Sequence, residues 1–469
     1  MKSTACLFLL CISLHVVDSL AVARLYGLEP ETSTKPNIVY FLVDDLGYAD
    51  CGFNGGKDIK TPNIDRLAKE GAILKSYYVQ PVCSPTRAAL MTGRYATQTS
   101  VYNVVRPGAP WGLPLNERIL PQTLKECGYT TAICGKWHLG EFESAYQPTR
   151  RGFDRQYGHM FGALDYFTHI RDGKLDWYRN DVPLEEAGYS THLIAKEACR
   201  VIQEKAADKP LFLYVPFNGI HGPHQVPDSY KKPYKDLPSL RQTIAGMLSA
   251  VDESIGQITT ALKDAGLRDN TLIIFSSDNG GPAPGKATMN TPLRAGKGTI
   301  YEGGVRVSAF VNWPGKIKAG VTIDEPIHAV DWYPTLVKLA GSRIEPPNPL
   351  SGLDIWPVIT QSAKSPHDAI LLVGNRPNVS AVRMGDWKLL VGPSEKDAED
   401  QSSDQKSTGK LELYNLVDDI AESKNLADTQ PERVKAMRAR LDSLLKDAVA
   451  PGDSIAIKKP VAKSKEKTK

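Results

Sequence analysis

The sequence predicts an α/β fold: a large mixed, mostly parallel sheet flanked by helices, with a smaller C-terminal α+β domain. Three observations predict it. Asn37 to Val43 (NIVYFLV), Leu211 to Phe217 (LFLYVPF) and Thr271 to Phe275 (TLIIF) are continuous apolar, β-branched runs, the composition of strands buried on both faces. Helical periodicity separates them. Beyond the Pro-rich stretch Glu345 to Pro349 the pattern changes to short strands and a closing helix.

Taken in order, Lys2 precedes an apolar run from Cys6 to Val17, and Ala21-Val22-Ala23 offers small residues for cleavage. This predicts a signal peptide over residues 1–23 and an exported protein, in the periplasm, the medium or, in an animal, the lysosome. No later stretch is long and apolar enough to span a bilayer, so no stable membrane insertion is expected. Residues 24–365 then form the main domain. Thr130 to Cys134 is a fourth strand candidate. Leu240, Ile244, Met247, Leu248, Val251, Ile255, Ile258 and Leu262 recur at spacings of three and four, which predicts a long amphipathic helix. In the smaller domain, residues 366–451, Ala369–Val373, Ser380–Met384 and Lys388–Val391 read as strands and Gln430–Leu445 as a helix; Glu395–Lys410 is polar and reads as a loose loop.

The 469 residues, with 38 Gly and 33 Pro, have an ordinary globular composition, which excludes a collagen, a coiled coil and a wholly disordered chain. Lys and Arg number 57 against 53 Asp and Glu, a net charge of +4. Residues 452–469 carry six Lys against Asp453 and Glu466 and read as a disordered Lys-rich tail, so the body is close to neutral. A neutral body argues against a nucleic-acid partner, which needs a basic face. Of seven cysteines, Cys6 and Cys11 leave with the leader. Cys51, Cys83, Cys127, Cys134 and Cys199 remain, an odd number that leaves one thiol without an internal partner.

Polar residues gather where the apolar runs end, the place where open α/β sheets build sites. Asp44 and Asp45 follow one strand; Asp278 and Asn279 follow another. Three carboxylates and an amide oxygen are hard ligands, suited to calcium or magnesium rather than zinc. Each pair by itself is an ordinary turn or cap; two pairs after two buried strands are not. Cys83-Ser84-Pro85-Thr86-Arg87 reads as a helix start, with Pro85 in the first turn and Arg87 one turn beyond Cys83. A helix N-terminus beside an Arg is a place for a tetrahedral oxyanion. Lys136 and His138, two apart, point to one side if the segment is extended. His221 and His224 follow a strand, and Arg294 to Lys297 lie in a Gly-rich loop. Each is weak alone; all are cationic or proton-transferring groups in loops able to surround one anion.

At these residues the chain resembles the sulfatase family of the alkaline-phosphatase-like superfamily. Cys83-Ser84-Pro85-Thr86-Arg87 matches its C-x-P-x-R signature, continued by Thr92-Gly93-Arg94. TPNIDRLA (61–68), GKWHLG (135–140), PTRRGFD (148–154), SDNGG (277–281) and EGGVR (302–306) follow in the family's order, and the likeness runs from Pro36 to about Ala448. Within the family, PLFLYVPFNGIHGPHQVP and PTRRGFDRQYG look most like the N-acetylgalactosamine-4-sulfatase (arylsulfatase B) branch.

The resemblance implies a sulfuric ester hydrolase acting on a sulfated carbohydrate. Cys83 would be oxidised to formylglycine by a separate maturation enzyme, which accounts for the odd thiol. One calcium ion would be held by Asp44, Asp45, Asp278, Asn279 and the modified Cys83. Arg87 would hold the formylglycine, Lys136 and Lys297 would bind sulfate oxygens, His138 would take a proton during sulfate release, and His221 would bind substrate and protonate the leaving alcohol. A hydrated aldehyde carries two hydroxyls, one to attack sulfur and one to expel sulfate, which divides a hard step into two. His224 matches no family role. The loops Val101–Gly112 and Tyr157–His169 are candidates to line the sugar site. Two other readings use the same residues: a phosphodiesterase or phosphonate monoester hydrolase of the superfamily, and a catalytically silent carbohydrate-binding protein. A secreted zinc hydrolase has no H-E-x-x-H or similar motif to stand on.

Overall fold

Five parallel strands carry the centre of the molecule, and their carboxyl ends meet along one edge. The computed structural model describes residues 35–282, 287–343, 345–393 and 409–453. The expected leader, the loop Glu395–Lys410 up to residue 408 and the tail beyond Asp453 lie outside the described residues. The described residues from Pro36 onward form one compact unit; of the chain before it, only Lys35 is described.

The large sheet has ten strands: β1 (Asn37–Val43), β2 (Ala72–Leu74), β3 (Thr130–Lys136), β4 (Arg155–His159), β5 (Tyr178–Arg179), β6 (Val182–Pro183), β7 (Leu211–Pro216), β8 (Thr271–Ser277), β9 (Ala309–Asn312) and β10 (Val321–Ile323). Their order across the sheet is β10-β2-β9-β8-β1-β7-β3-β4-β5-β6. β8, β1, β7, β3 and β4 are mutually parallel, whereas β9 joins β8 antiparallel and β5 joins β4 antiparallel. The sheet is therefore mixed, with a parallel core, as the apolar runs predict. Two of those runs extend further than expected: β8 continues to Ser277 and β3 to Lys136. The hydrogen-bonded ladder carries the polar ends into the sheet, which fixes their backbones.

Alternation along β1 divides the core. Val39, Phe41 and Val43 pack with the helices α1 (Pro62–Lys69), α4 (Ser190–Gln203) and α5 (Ser239–Asp264); here α2 is Cys83–Thr92 and α3 is Leu120–Glu126. Ile38, Tyr40 and Leu42 pack with α2, α3 and α6 (Trp332–Leu339). Both faces are covered, which is why the strand reads as an unbroken apolar run. α5 is the long helix foreseen from its period. Ile244, Met247, Leu248, Val251, Ile255, Ile258 and Leu262 are fully buried, and each such side chain stabilises the fold by about 1.5–3 kcal/mol. Leu240 departs from the expectation: it lies in the first turn, beyond the edge of the core, and is 42% exposed.

The C-terminal part is an antiparallel sheet of β11 (Ile370–Val373), β12 (Ser380–Met384), β13 (Trp387–Val391) and β14 (Leu411–Asn415), in that order. α7 (Pro431–Leu445) sets Met437 and Leu441 in the same apolar cluster as Leu371, Val382 and Leu389. Among the described residues, no helix is long and apolar enough to cross a membrane.

Candidate active site

The site sits at the carboxyl edge of the parallel strands, where β1, β8, β7 and β3 deliver Asp44, Asp278, His221 and Lys136. Asp44 and Asp45 are buried. In an extended chain adjacent side chains face opposite ways, but Asp45 adopts a left-handed backbone (φ 63°). That conformation is uncommon outside Gly and is tolerated best by Asp and Asn. It lets neighbouring carboxylates serve one centre: ligand atoms of Asp44, Asp45, Cys83 and His221 lie within 4.8 Å of one another. Ser277 braces the edge, its hydroxyl accepting the Leu46 amide at 3.1 Å and donating to the Asn279 carbonyl at 2.7 Å.

Cys83 opens α2. Val82 before it is extended, Pro85 lies in the first turn, and Thr86 Oγ1 accepts the Gln80 amide at 2.9 Å, which fixes the entering chain. Gly93 ends the helix with φ 69°; a Cβ there would lie 2.8 Å from Tyr333 Cβ, so only glycine fits. The Cys83 thiol is 3.4 Å from Asp44 Oδ1. Burial and the Asp278 and Asp44 carboxylates push this thiol far above its ordinary range.

Arg87, fully buried one turn on, donates from Nη2 to Asp278 Oδ2 at 2.7 Å and to Asp44 Oδ2 at 3.3 Å. Its Nη1 donates to the Lys136 carbonyl at 3.1 Å. Burial works against its charge, and Asp278 and Asp44 more than restore it. Lys136 Nζ pairs with Asp44, and Lys297 Nζ reaches Asp45 at 3.1 Å. Burial alone raises both aspartates; Lys136, His221 and Arg87 pull Asp44 below its usual range, and Lys297 and His221 do the same for Asp45.

His221 Nδ1 donates to the Gly222 carbonyl at 2.6 Å, which leaves Nε2 facing Asp45 Oδ2 at 3.7 Å. Tyr166 holds this turn, its hydroxyl shared between the Asn218 and His221 carbonyls at 2.6 and 2.7 Å. His138 is buried and its Nε2 donates to the Val105 carbonyl at 3.0 Å, while Nδ1 has no hydrogen-bond partner. Burial and the nearby Lys136, Arg87 and His221 depress its pKa strongly, so the ring is neutral. Ser84 ties the parts together, donating to the His138 carbonyl at 2.8 Å and accepting the Val105 amide at 3.1 Å.

The residues given site roles from the sequence reach one neighbourhood: Asp44, Asp45, Cys83, Arg87, Lys136, His138, His221, Asp278, Asn279 and Lys297; Arg294, from the same loop as Lys297, turns away instead, donating to the Tyr414 hydroxyl at 3.0 Å and the Glu422 carbonyl at 2.8 Å. Two local expectations are corrected. Lys136 is the last residue of a strand rather than part of a loop, and His138 has φ 58°, so the segment is not extended through it. Lys136 turns to Asp44 and the His138 ring to Val105. The closest donor group includes His221 and not Asp278, whose Oδ2 accepts from Arg87 at 2.7 Å. His224 lies beside this turn, 3.7 Å from where a Cβ on Gly222 would be. Cys51, Cys83, Cys134 and Cys199 are free thiols.

Asn279 Nδ2 donates to Asp45 Oδ1 at 2.7 Å, whereas its Oδ1 is buried without a partner. A buried orphan amide oxygen beside three carboxylates is the donor chemistry of a hard divalent cation, so Asp44, Asp45, Asp278 and Asn279 fit one. A cavity of about 90 Å³ opens onto Cys83, His138 and His221. Both candidate loops supply walls, through Val104, Val105, Arg106 and Pro107 and through Gly162 and Ala163. Arg171 also lines it and lies outside the two loops and the motifs marked in the sequence.

A family model described as Sulfatase matches residues 36–342. Arylsulfatase J of Mus musculus is 37% identical over 468 residues, 90% of this chain and 78% of that protein. N-acetylgalactosamine-6-sulfatase of Mus musculus is 34% identical over 75% of this chain and 71% of its own. The crystal structure of Ps i-CgsB in complex with k-i-k-neocarrahexaose superposes with a TM-score of 0.81 at 34% identity, covering 89% of this chain and 94% of that one.

Proposed function

Because the chain belongs to the sulfatase family and is a sulfuric ester hydrolase with an alkaline-phosphatase-like fold, we propose that it is an exported enzyme that releases sulfate from a sulfated oligo- or polysaccharide, using a formylglycine made from Cys83 and one calcium ion. The sugar substrate is supported by the relative that bears N-acetylgalactosamine in its name and by the neighbour that holds neocarrahexaose.

The observation that carries the reading is the charge pattern around Cys83. Three buried cations (Arg87, Lys136, Lys297) oppose three buried carboxylates (Asp44, Asp45, Asp278) within one cluster. Asp44, Asp45, Asp278 and Asn279 would hold calcium, which supplies two positive charges and polarises a sulfate oxygen. A formylglycine at position 83 would supply, when hydrated, the attacking hydroxyl in place of the buried thiol. Lys136 and Lys297, beside Asp44 and Asp45, are the cations placed to meet a bound anion. Preorganised positive charge of this kind is usually the largest catalytic contribution. Neutral His138, with its unpartnered Nδ1, accepts a proton; His221 Nε2, oriented by its Nδ1 bond to Gly222, delivers one to the leaving alcohol. Arg87 fixes Asp44 and Asp278 and so sets the frame for both.

Mass analysis of the tryptic peptide spanning Cys83, on enzyme with measured sulfate release, tests the reading. An aldehyde at position 83 in active enzyme, and no turnover by Cys83→Ala, are expected. An unmodified thiol in enzyme that turns over overturns the formylglycine assignment. Turnover of para-nitrophenyl phosphate exceeding that of para-nitrophenyl sulfate overturns the sulfate-ester assignment.

A further inference from the structure

Beside the pocket that opens onto Cys83 lies a second, larger cavity of about 260 Å³. Val104 and Arg106 line both, so the two share a wall. Ala109, Pro110 and Trp111 form the apolar side of the second cavity. Trp111 is half-buried and held from behind. A Cβ on Gly452 would lie 2.8 Å from the indole Cε3, and that segment is pinned by Val449 and Gly452 amides donating to Thr97 and Ser100 carbonyls at 2.8 and 2.9 Å. The indole is therefore a fixed wall of the cavity. A rigid aromatic face offers large contact area at little entropic cost, and its electron-rich surface suits the C–H face of a sugar ring. Asp453 lies on the same lining. Arg106, exposed on the shared wall, presents the planar donor fork that matches sulfate or carboxylate.

We propose that this second cavity binds the sugar unit next to the one whose sulfate is removed, with Trp111 beneath its ring and Arg106 on an anionic substituent between the two units. The inference rests on the sulfatase reading and narrows it: the substrate is an anionic oligosaccharide, and an isolated sulfated monosaccharide leaves the second cavity unused. Two variants probe it without touching the residues around Cys83: Trp111→Ala removes the platform, and Ala109→Trp fills the cavity.

The test compares matured wild type and both variants on para-nitrophenyl sulfate, on sulfated monosaccharides and on the matching sulfated hexasaccharides. Both variants are expected to keep the aryl sulfate kcat/KM within about twofold and to lose about tenfold or more on the best hexasaccharide, chiefly through KM. Equal losses on aryl sulfate and hexasaccharide, or no loss on either, overturn the proposal. So does a wild type that prefers a monosaccharide to every hexasaccharide, an outcome that leaves the sulfatase reading standing. A wild type that hydrolyses none of these esters overturns that reading itself.

Discussion

Gly162 lies against the imidazole of His138 so closely that a Cβ on it would stand 2.6 Å from ring atoms Cε1 and Nε2. The contact belongs to a chain of hydrogen bonds. The His138 amide donates to the Met160 carbonyl at 3.0 Å, and the Met160 and Phe161 amides donate to Asp176 at 2.9 Å each. Asp176, fully buried, thus anchors the turn that presses on the ring. Burial raises its pKa to about 7 against the pull of the two amides.

Gly162→Ala is therefore expected to swing the His138 ring away from Val105 while leaving the fold intact. A displacement of about 1 Å in a group that moves a proton costs about a hundredfold in kcat. Steady-state kinetics with a thermal melt checks this: kcat falls, KM changes little, and the melting temperature stays near wild type. An unchanged kcat would show that His138 orientation has no part in turnover.

The pairing of Arg87 with Asp278 and Asp44 makes a second prediction. All three side chains are fully buried. Removing one partner leaves the others charged and out of water, which costs about 3–5 kcal/mol. Arg87→Ala should lower the unfolding free energy measured by urea titration by that amount and abolish turnover. Arg87→Lys should restore only part of the stability, because a single ammonium cannot reproduce the fork that reaches Asp278, Asp44 and the Lys136 carbonyl together. Full recovery by lysine would assign the residue a simple charge role.

Stabilisation by calcium is the prediction that the crowded carboxylates make. A ligand that binds only the folded state at about a hundred times its Kd adds about 2.7 kcal/mol of stability, a shift of several degrees in a chain of this size. Calcium should raise the melting temperature saturably, EGTA should reverse it, and magnesium should do less because it demands stricter geometry. Asn279→Ala should blunt the shift, since the orphan Oδ1 is lost. A melt that ignores both calcium and EGTA contradicts the assigned donors.

How much of this was legible beforehand depends on what kind of interaction makes each part. Strands buried on both faces leave unbroken apolar runs, so β1, β7 and β8 can be read directly. β4 (RQYGH) hides because polar residues make it, and Gly158 permits the close approach that seats it: a Cβ there would lie 2.3 Å from the Gly135 carbonyl. Adjacent functional pairs such as Asp44-Asp45 and Asp278-Asn279 announce themselves by type and place. The carbonyl of Val105 and the backbone turn at Gly162 do not, because a main-chain acceptor or a missing Cβ leaves no distinctive side chain. The chain leaves extended geometry at His138, a single left-handed residue, a feature no spacing rule contains.

The last prediction concerns a buried triad away from the pocket. Lys388 Nζ, on β13, lies 2.8 Å from Glu302 and 3.0 Å from Glu422, with none of the three side chains exposed. Glu422 also accepts the Glu302 amide at 2.6 Å, and the neighbouring Gly303 amide donates to the Arg294 carbonyl, in the loop that carries Lys297. Burial opposes ionisation of Glu302, but Lys388 and Arg306 hold its pKa below the ordinary 4.5. Its contribution is therefore present above that pH and fades as pH falls. Burial already raises Glu422 to about 7 beside Lys388; in Lys388→Met the main opposing cation is gone and burial raises both carboxyls further, so the folded state loses more stability as pH rises than the wild type does. The difference between wild type and variant should grow from pH 5 to pH 8, reaching about 3–5 kcal/mol. Urea unfolding at the two pH values measures it, and a difference that shrinks with rising pH would mean that Lys388 is not what stabilises these carboxylates.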